Sequence, residues 1–420
     1  MNLVAYLILI FGVLNLLRMT MFLVGSDIYG LHRHFQVKKI KKSSTLPKFS
    51  VIIPAHNEEK TILRNLKSIY SNDYPKDRLE VVFVDDGSTD KTLALIKDFK
   101  KTHKLTNLSI VSQKNSGKAS ALNNGLKNHV SGKLVMCLDA DSYLAKDSLR
   151  KAVAYFDDKR VMAVASNVKI IDTEGLLNLV QKFEYIICYQ MKRAQTIFNI
   201  EYIIGGIGST FRYDSLKKVG FYDGNTVTED IDLTMKILRE GNKANRVVYG
   251  ADVIAYTESV LSLEALISQR FRWKYGRTQT FWKNKKMFFN RDSKYSKGLT
   301  FFYLPFAIYS DIAFFFEPLL VTYILFLLIK FGDLITLLTA FVVISAYISI
   351  NILAEDTIKL KDKVLMILLA PTMYFLFYIL SFVEYVALIK TLVNLKDLKK
   401  SLALNKASWQ HVERSGTQVS

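Results

Sequence analysis

The stretch PKFSVIIPAHNEEKTILRNLKSIYSNDYPKDRLEVVFVDDGS, residues 47–88, is the strongest indication of fold class in this chain. It begins with an apolar run at 49–54, continues with a helical pattern over 58–70 and ends with a second apolar run at 80–85. Short apolar strands that alternate with amphipathic helices predict a mostly parallel sheet covered on both faces. We therefore predict an α/β domain.

Acidic residues follow the predicted strands at the points where the strands end. Asp85 and Asp86 close the strand at 80–85, and Asp139 and Asp141 follow a further apolar run at 133–138. Ligands of parallel sheets bind beyond the carboxyl ends of the strands, so these carboxylates are candidates for chemistry. The chain contains neither a Gly-x-Gly-x-x-Gly fingerprint nor a phosphate-binding Gly-Lys-Ser/Thr loop, which argues against those two nucleotide-binding classes.

Asp139 and Asp141 flank one small residue directly after a buried strand. Two hard oxygen ligands on one tight turn can hold Mg²⁺ or Mn²⁺. Such a cation would bridge the phosphates of a nucleotide sugar and take up negative charge on the leaving diphosphate. The alternative is a loop whose acids cap the helix that begins near Asp147; we favour the metal site.

Two further segments suggest contacts with a nucleotide. A carboxylate in Asp85-Asp86-Gly87-Ser88 could accept hydrogen bonds from a ribose or a pyrimidine, or it could cap the next helix, and both can hold. Lys118 opens a helix after Asn115-Ser-Gly and could meet a phosphate there, although a solvated lysine is the default interpretation.

Thr228-Glu229-Asp230 precedes a helical run over 231–239. A carboxylate at this turn could act as a general base that deprotonates an acceptor hydroxyl. The same residues would also suit a threonine N-cap followed by acids that complement the helix dipole. Taken alone, the triplet favours the cap.

Gln269-Arg-Phe-Arg272-Trp273 lies on a predicted helix that begins near Leu263. Gln269 and Trp273 are four residues apart and share a face. A sugar ring can stack on the tryptophan, and Arg272 can bind a diphosphate through two hydrogen bonds. An amphipathic helix at a membrane surface explains the same composition, and one helix can serve both purposes.

The composition indicates a membrane protein. The 420 residues are 50% hydrophobic and carry a formal net charge of +19. Much of that charge lies beside apolar segments, as in Lys41 and Lys42, and such clusters mark the cytoplasmic face and anionic lipid. No nucleic-acid recognition module is present, so nucleic-acid binding is not expected. Cys137 and Cys188 form no disulfide or zinc pattern, which favours a cytosolic main domain.

Four apolar segments are long enough to cross a bilayer: residues 1–25, 301–329, 334–353 and 364–389. We predict a transmembrane helix over 1–25, a cytoplasmic catalytic domain over 45–287, interfacial and transmembrane helices over 288–395 and a basic tail over 396–420. One early and three late spans would place the basic tail outside the cell, against the charge rule, so the number of spans stays open.

Three acids, Asp311, Glu317 and Glu384, lie within the late apolar segments. Acids in membrane spans are costly and need a polar partner or a cavity. They could pair with nearby cations or lie at an interface, or they could line a path for a polar polymer, and the sequence does not choose.

Together the four motifs resemble those of the processive family 2 glycosyltransferases, which include poly-N-acetylglucosamine, hyaluronan, chitin and cellulose synthases. The runs at 135–141 and 117–123 are most similar to those of bacterial poly-β-1,6-N-acetylglucosamine synthases. The resemblance implies a GT-A fold, a UDP-sugar donor, a divalent cation and inversion at the anomeric carbon.

The resemblance also implies roles for individual residues. The donor nucleotide and its diphosphate would be bound by Asn57, Glu58, Asp86, Lys118 and Asp139. The metal ligands would be Asp139 and Asp141, and Asp230 would be the base. The acceptor end and the diphosphate would be held by Glu229, Gln269, Arg272, Trp273 and Gly206.

We therefore expect a multi-pass enzyme of the plasma membrane that extends a polysaccharide, with N-acetylglucosamine as the first candidate sugar. A hyaluronan-, chitin- or cellulose-like product is an alternative, as is non-processive transfer of one sugar to a lipid carrier. An inactive receptor or scaffold is disfavoured because every central carboxylate is present. Synthases of the resembled kind often work with a small membrane accessory subunit.

Overall fold

The computed structural model describes residues 3–40, 46–171, 174–332, 334–398 and 402, and its centre is one eight-stranded sheet. The strands are β1 Phe49–Ala55, β2 Leu79–Asp85, β3 Leu108–Ser112, β4 Leu134–Cys137, β5 Tyr143–Leu144, β6 Val161–Ile170, β7 Ser209–Arg212 and β8 Arg246–Thr257. Their order across the sheet is β3-β2-β1-β4-β7-β6-β8-β5.

The sheet has a parallel half and a mixed half. The pairs β1–β2, β1–β4 and β2–β3 are parallel, as predicted from the alternation of strands and helices. In the other half β6 and β8 are parallel, whereas β7 runs antiparallel to β4 and β6, and β5 runs antiparallel to β8. The prediction of a mostly parallel sheet thus holds for the strands on which it was based.

Twelve α-helices lie within the described residues. They are α1 Leu3–Ile40, α2 Ile62–Tyr70, α3 Thr92–Thr102, α4 Lys118–Asn128, α5 Ser148–Tyr155, α6 Leu176–Phe198, α7 Tyr213–Lys218, α8 Glu229–Glu240, α9 Leu263–Lys283, α10 Leu304–Phe331, α11 Leu334–Ala354 and α12 Leu360–Val393.

Both faces of the sheet are covered by apolar packing. Val51 and Ile53 of β1 belong to one buried cluster, and Ile52 belongs to a second cluster that includes Leu122 and Leu126 of α4. Successive side chains of a strand point to opposite faces, so a continuously apolar strand such as β1 must be covered on both sides. The parallel half of the sheet is consequently a buried layer, and the loops at its carboxyl edge extend from well-packed strands.

Three helices within the described residues are long and apolar enough to cross a membrane. They lie within Gly298–Phe331, Leu334–Ala354 and Leu360–Asp397, and they cover the three late segments that the sequence indicated. Two of them, α11 and α12, pack on α6, where Phe183 lies in one buried cluster with Ile348 of α11 and Met373 of α12.

The first helix continues well beyond the predicted residue 25. Its second half packs on the α/β domain, where the Tyr29 hydroxyl donates to the Tyr249 carbonyl at 2.6 Å. Arg33 forms an ion pair with Asp252 at 3.1 Å. The helix therefore connects the apolar N-terminal segment to the domain without an intervening loop. Lys41, Lys42 and most of the predicted basic tail over 396–420 lie outside the described residues.

Candidate active site

A cavity of about 1500 Å³ lies at the carboxyl edge of the parallel strands and extends to α6, α9 and α12. Ten of the predicted site residues line it: Glu58, Lys118, Asp139, Asp141, Gly206, Glu229, Asp230, Gln269, Arg272 and Trp273. Asn57 and Asp86 do not line the cavity. The fold thus gathers residues separated by as many as 215 positions, from Glu58 to Trp273, around one space.

Asp86 is fully buried and its carboxylate is occupied by the protein itself. Its oxygens accept hydrogen bonds from the Gln113 side chain at 2.7 Å, the Ser116 backbone at 2.9 Å and the Gly117 backbone at 2.8 Å. These bonds hold the segment that leads into α4 and so set the position of Lys118. Any contact of Asp86 with a nucleotide would be additional to this structural task.

Asn57 and Glu58 occupy the turn between β1 and α2. Asn57 adopts a left-handed conformation with φ of 58°, and its side-chain oxygen accepts a hydrogen bond from the Thr89 backbone at 2.8 Å. The Glu58 carbonyl accepts from the backbone of Thr61 and Ile62, so α2 begins at Ile62 and not at the predicted residue 58. Glu58 faces the cavity, whereas Asn57 joins its turn to the neighbouring loop.

A lysine and two carboxylates form the charged centre of the cavity. The Lys118 ammonium lies 2.7 Å from Asp139 and 3.5 Å from Glu229. Burial alone would lower the pKa of Lys118, but the charges of Asp139 and Glu229 outweigh it and the pKa lies above its usual value. Burial raises the pKa of Asp139, with Lys118 opposing this shift. The centre therefore holds anions and a cation close enough to bind a diphosphate and a metal ion.

Gly206 packs directly against this charged centre. A Cβ atom at Gly206 would lie 2.9 Å from the Lys118 ammonium and 3.5 Å from the Asp139 carboxylate. Any larger residue would therefore displace the lysine side chain. The resemblance predicted that Gly206 contacts the acceptor or the diphosphate; in the structure it lies beside Lys118 and Asp139.

Asp230 lies half-buried in the first turn of α8. Its carboxylate accepts a hydrogen bond from the Ile231 backbone at 2.8 Å. Burial, reinforced by the charge of Glu229, raises the pKa of Asp230 to about 7. A carboxylate with such a pKa can both accept a proton and release it near neutral pH, which is the property that a general base needs. Thr228 is the N-cap residue of α8, but its side chain makes no capping hydrogen bond.

The carboxylates fit a divalent cation that is shared with a substrate. Asp139 and Asp141 stand on one turn, and no group of three or more His, Cys, Asp or Glu side chains that could hold a metal occurs among the described residues. Mg²⁺ is commonly bound by one or two carboxylates together with substrate phosphates, so two carboxylates suffice. Asp141 also accepts a hydrogen bond from Ser142 at 2.8 Å.

The helix α9 presents the predicted acceptor residues to the cavity. Trp273 is 38% exposed, and the Arg270 guanidinium lies 4.3 Å from the centre of its ring. The buried side-chain oxygen of Gln269 has no hydrogen-bond partner within the described part of the chain. An unpaired buried acceptor beside an accessible aromatic face is suited to a hydroxylated ring, since it lacks only a donor.

Three cations of α9, Arg270, Lys274 and Arg277, also line the cavity and pair with acids of neighbouring helices, and these pairs were not predicted from the sequence. Arg270 pairs with Glu184 of α6, and Lys274 lies 2.9 Å from Glu384 of α12. Arg277 pairs with Asp311 of α10. Two of the three acids within the apolar segments are thus paired with cations, as one interpretation of the sequence held, and Glu384 also lines the cavity. The spacing of the cations at 270, 274 and 277 was the available signal.

Comparison with known proteins agrees with this geometry. Residues 50–220 match the family model described as glycosyl transferase family 2. Over 249 residues the chain is 32% identical to a poly-β-1,6-N-acetyl-D-glucosamine synthase of Staphylococcus epidermidis, covering 57% of this chain and 58% of that protein. Over 262 residues it is 30% identical to the Staphylococcus aureus protein of the same name, covering 60% of this chain and 61% of the relative. The matched region thus spans about three fifths of each relative.

A solved structure extends the comparison to most of the chain. The mannosyltransferase PcManGT from Pyrobaculum calidifontis, solved in complex with GDP-Man and Mn²⁺, is similar over 90% of this chain and 98% of its own, with a TM-score of 0.54 and 21% identity. This likeness concerns the fold. Residues 50–220 are thus similar to glycosyl transferase family 2, and the chain has a GT-A-type α/β fold joined to three long apolar helices.

Proposed function

We propose that the chain is a membrane-embedded, inverting glycosyltransferase that transfers a sugar from a UDP-sugar to a growing β-linked polysaccharide. The observation that carries the proposal is one cavity that joins the Asp139–Lys118 pair, the Asp230 carboxylate and the exposed Trp273 ring. Direct sugar transfer requires a site for the nucleotide diphosphate, a general base and a surface on which the acceptor sugar can stack.

The donor side of the cavity would hold the diphosphate. Asp139 and Asp141 would bind Mg²⁺ or Mn²⁺, which when bound would offset the charge of the leaving diphosphate. Lys118 would supply a second positive charge from the first turn of α4, where the helix dipole also favours an anion. The mannosyltransferase of similar fold was solved with Mn²⁺, which supports a divalent cation here.

Asp230 would act on the acceptor. Its carboxylate takes the proton of the acceptor hydroxyl while that oxygen forms a bond to the anomeric carbon of the donor. The bond from this carbon to the diphosphate breaks on the opposite face, UDP leaves, and the configuration inverts. A single displacement needs one base, and the pKa of about 7 suits Asp230 to that task.

Two lines of reasoning support the choice of substrate and location. Both curated relatives described above are named poly-β-1,6-N-acetyl-D-glucosamine synthases, so UDP-N-acetylglucosamine is the first donor to test. The three apolar helices favour a multi-pass protein of the plasma membrane with its α/β domain in the cytoplasm. The proposal includes export of the polymer across the membrane. It also includes cooperation with a small accessory subunit.

The test is UDP release by membranes that contain the protein, given a panel of UDP-sugars with Mg²⁺ or Mn²⁺, followed by sizing of the product. Release with UDP-N-acetylglucosamine and a long polymer is the expected result. A requirement for another UDP-sugar, in place of UDP-N-acetylglucosamine or together with it, would move the product to a cellulose-like or hyaluronan-like polymer. A single added sugar on a lipid would replace processive synthesis by non-processive transfer. The background rate of UDP release is measured with membranes that contain the Asp139→Ala variant. No release above this background with any donor would refute the proposal.

A further inference from the structure

One face of α9 carries three cations that meet three carboxylates from three different helices. The cations are Arg270, Lys274 and Arg277, at intervals of four and three residues, which places them in one stripe. The carboxylates are Glu184 of α6, Asp311 of α10 and Glu384 of α12. We call these six residues the docking cluster; its positive and negative charges are equal in number.

The contacts within the docking cluster are close and partly shared. Arg270 donates two hydrogen bonds to Glu184, at 2.8 and 2.7 Å, and its Nε lies 3.6 Å from Glu384. Lys274 lies 2.9 Å from Glu384 and 3.5 Å from Asp311. Arg277 forms an ion pair with the same Asp311. Asp311 of α10 and Glu384 of α12 therefore each contact two cations of the docking cluster.

Five of the six residues of the docking cluster line the same cavity as the predicted acceptor residues, and Arg270 also contacts Trp273. The Arg270 side chain is 5% exposed, and its guanidinium lies 4.3 Å from the centre of the Trp273 ring. A cation at this distance from an indole face is attracted by the ring. The position of Arg270 therefore helps to fix the ring on which an acceptor sugar would stack.

We propose that Glu384 and Asp311 are positioning residues, which anchor α9 to the apolar helices and thereby set where Trp273 stands in the cavity. An ionised acid within an apolar helix is costly, and here the cations of α9 compensate the charge. Removal of Glu384 leaves Lys274 with only the longer contact to Asp311, and removal of Asp311 takes the partner of Arg277; either change leaves one net positive charge and weakens the attachment of α9 to the helices. The effect on acceptor binding rests on the proposed function. The effect on the position of Trp273 does not depend on it.

The first experiment measures Trp273 without any reaction. Replacing the other two tryptophans, Trp282→Phe and Trp409→Phe, leaves Trp273 as the single tryptophan, whose emission is excited selectively over that of the tyrosines. In this background we expect Glu384→Gln to raise the acrylamide quenching constant of Trp273 at least twofold. The matched control is Glu317→Gln: Glu317 lies within α10, an apolar helix like the α12 of Glu384, but forms no ion pair within the described residues, so quenching should stay as in the parent.

The second experiment separates positioning from general damage. We expect Glu384→Gln to raise KM for short β-linked N-acetylglucosamine oligosaccharides about tenfold, while KM for the donor changes less than twofold. The double variant Glu384→Gln with Lys274→Met removes both partners and should recover at least half of the loss, because no unpaired cation remains. This double variant also serves where the single variant does not accumulate in membranes.

The outcomes are distinct. Equal quenching and equal oligosaccharide KM in Glu384→Gln and Glu317→Gln would overturn the inference. If the unmodified protein releases no UDP from any donor, the proposed function fails, yet the quenching comparison still decides whether the docking cluster positions Trp273. A rise in donor KM as large as the rise in oligosaccharide KM would assign Glu384 a purely structural role and would also overturn the inference.

Discussion

The raised pKa of Asp230 predicts a specific dependence of turnover on pH. With a pKa of about 7, the carboxylate is mostly ionised at pH 8, and its ionised fraction falls about tenfold for each pH unit well below 7. A base acts only when ionised, so kcat/KM at pH 5 should be roughly a hundredfold lower than at pH 8. A carboxylate with the ordinary value near 4 would instead remain almost fully ionised over this whole range.

The assay is initial UDP release at limiting donor concentration between pH 5 and 8.5, because kcat/KM reports the ionisation of the free enzyme. The matched control is Asp230→Asn, whose residual rate should be lower by about a hundredfold or more at pH 8 and independent of pH in this range. Retention of fold at pH 5 is checked by returning samples to pH 8 before assay. A flat profile for the unmodified protein, or the same slope in Asp230→Asn, would refute the assignment of Asp230 as base.

Three further predictions concern other parts of the structure. Gly206→Ala should lower turnover by about tenfold, as expected when one positioned electrostatic contact is disturbed, because the new Cβ would lie 2.9 Å from the Lys118 ammonium; unchanged turnover would contradict this packing. Asp139→Ala should abolish Mn²⁺ binding measured by electron paramagnetic resonance in the presence of UDP, and persistent binding would exclude this residue as a ligand. Tyr29→Phe should lower the free energy of unfolding in detergent by about 1 to 2 kcal/mol, because the buried Tyr249 carbonyl loses a donor at 2.6 Å; an unchanged denaturation midpoint would count against α1 as part of the domain.

The parallel half of the sheet was accessible from the sequence because its determinants are local. A strand such as β1 is continuously apolar and is followed by an amphipathic helix, and this alternation specifies parallel pairing with both faces covered. Asp139 follows directly after a strand, so its place at the carboxyl edge follows from the same pattern. The position of Trp273 could be inferred only through the resemblance, since nothing local to α9 connects it with a turn more than 130 residues earlier.

The roles of residues within the cavity depend on contacts between distant segments. Asp86 was expected to meet the nucleotide, and the structure shows its carboxylate bonded to the backbone of Ser116 and Gly117. Hydrogen bonds across such separations have no signature in a single sequence. The mixed half of the sheet was likewise not predicted, because β7 joins it between β4 and β6 and not beside its neighbours in the chain.

The amino-acid sequence thus contains the helices, the first strands, the acids at their ends and the apolar segments, since each depends on residue types within a short window. The distances among Lys118, Asp139 and Glu229, the raised pKa of Asp230 and the pairing of α9 with the acids of α6, α10 and α12 depend on folding. Burial and the proximity of charges are properties of the packed chain, and they convert ordinary carboxylates and lysines into a candidate active site.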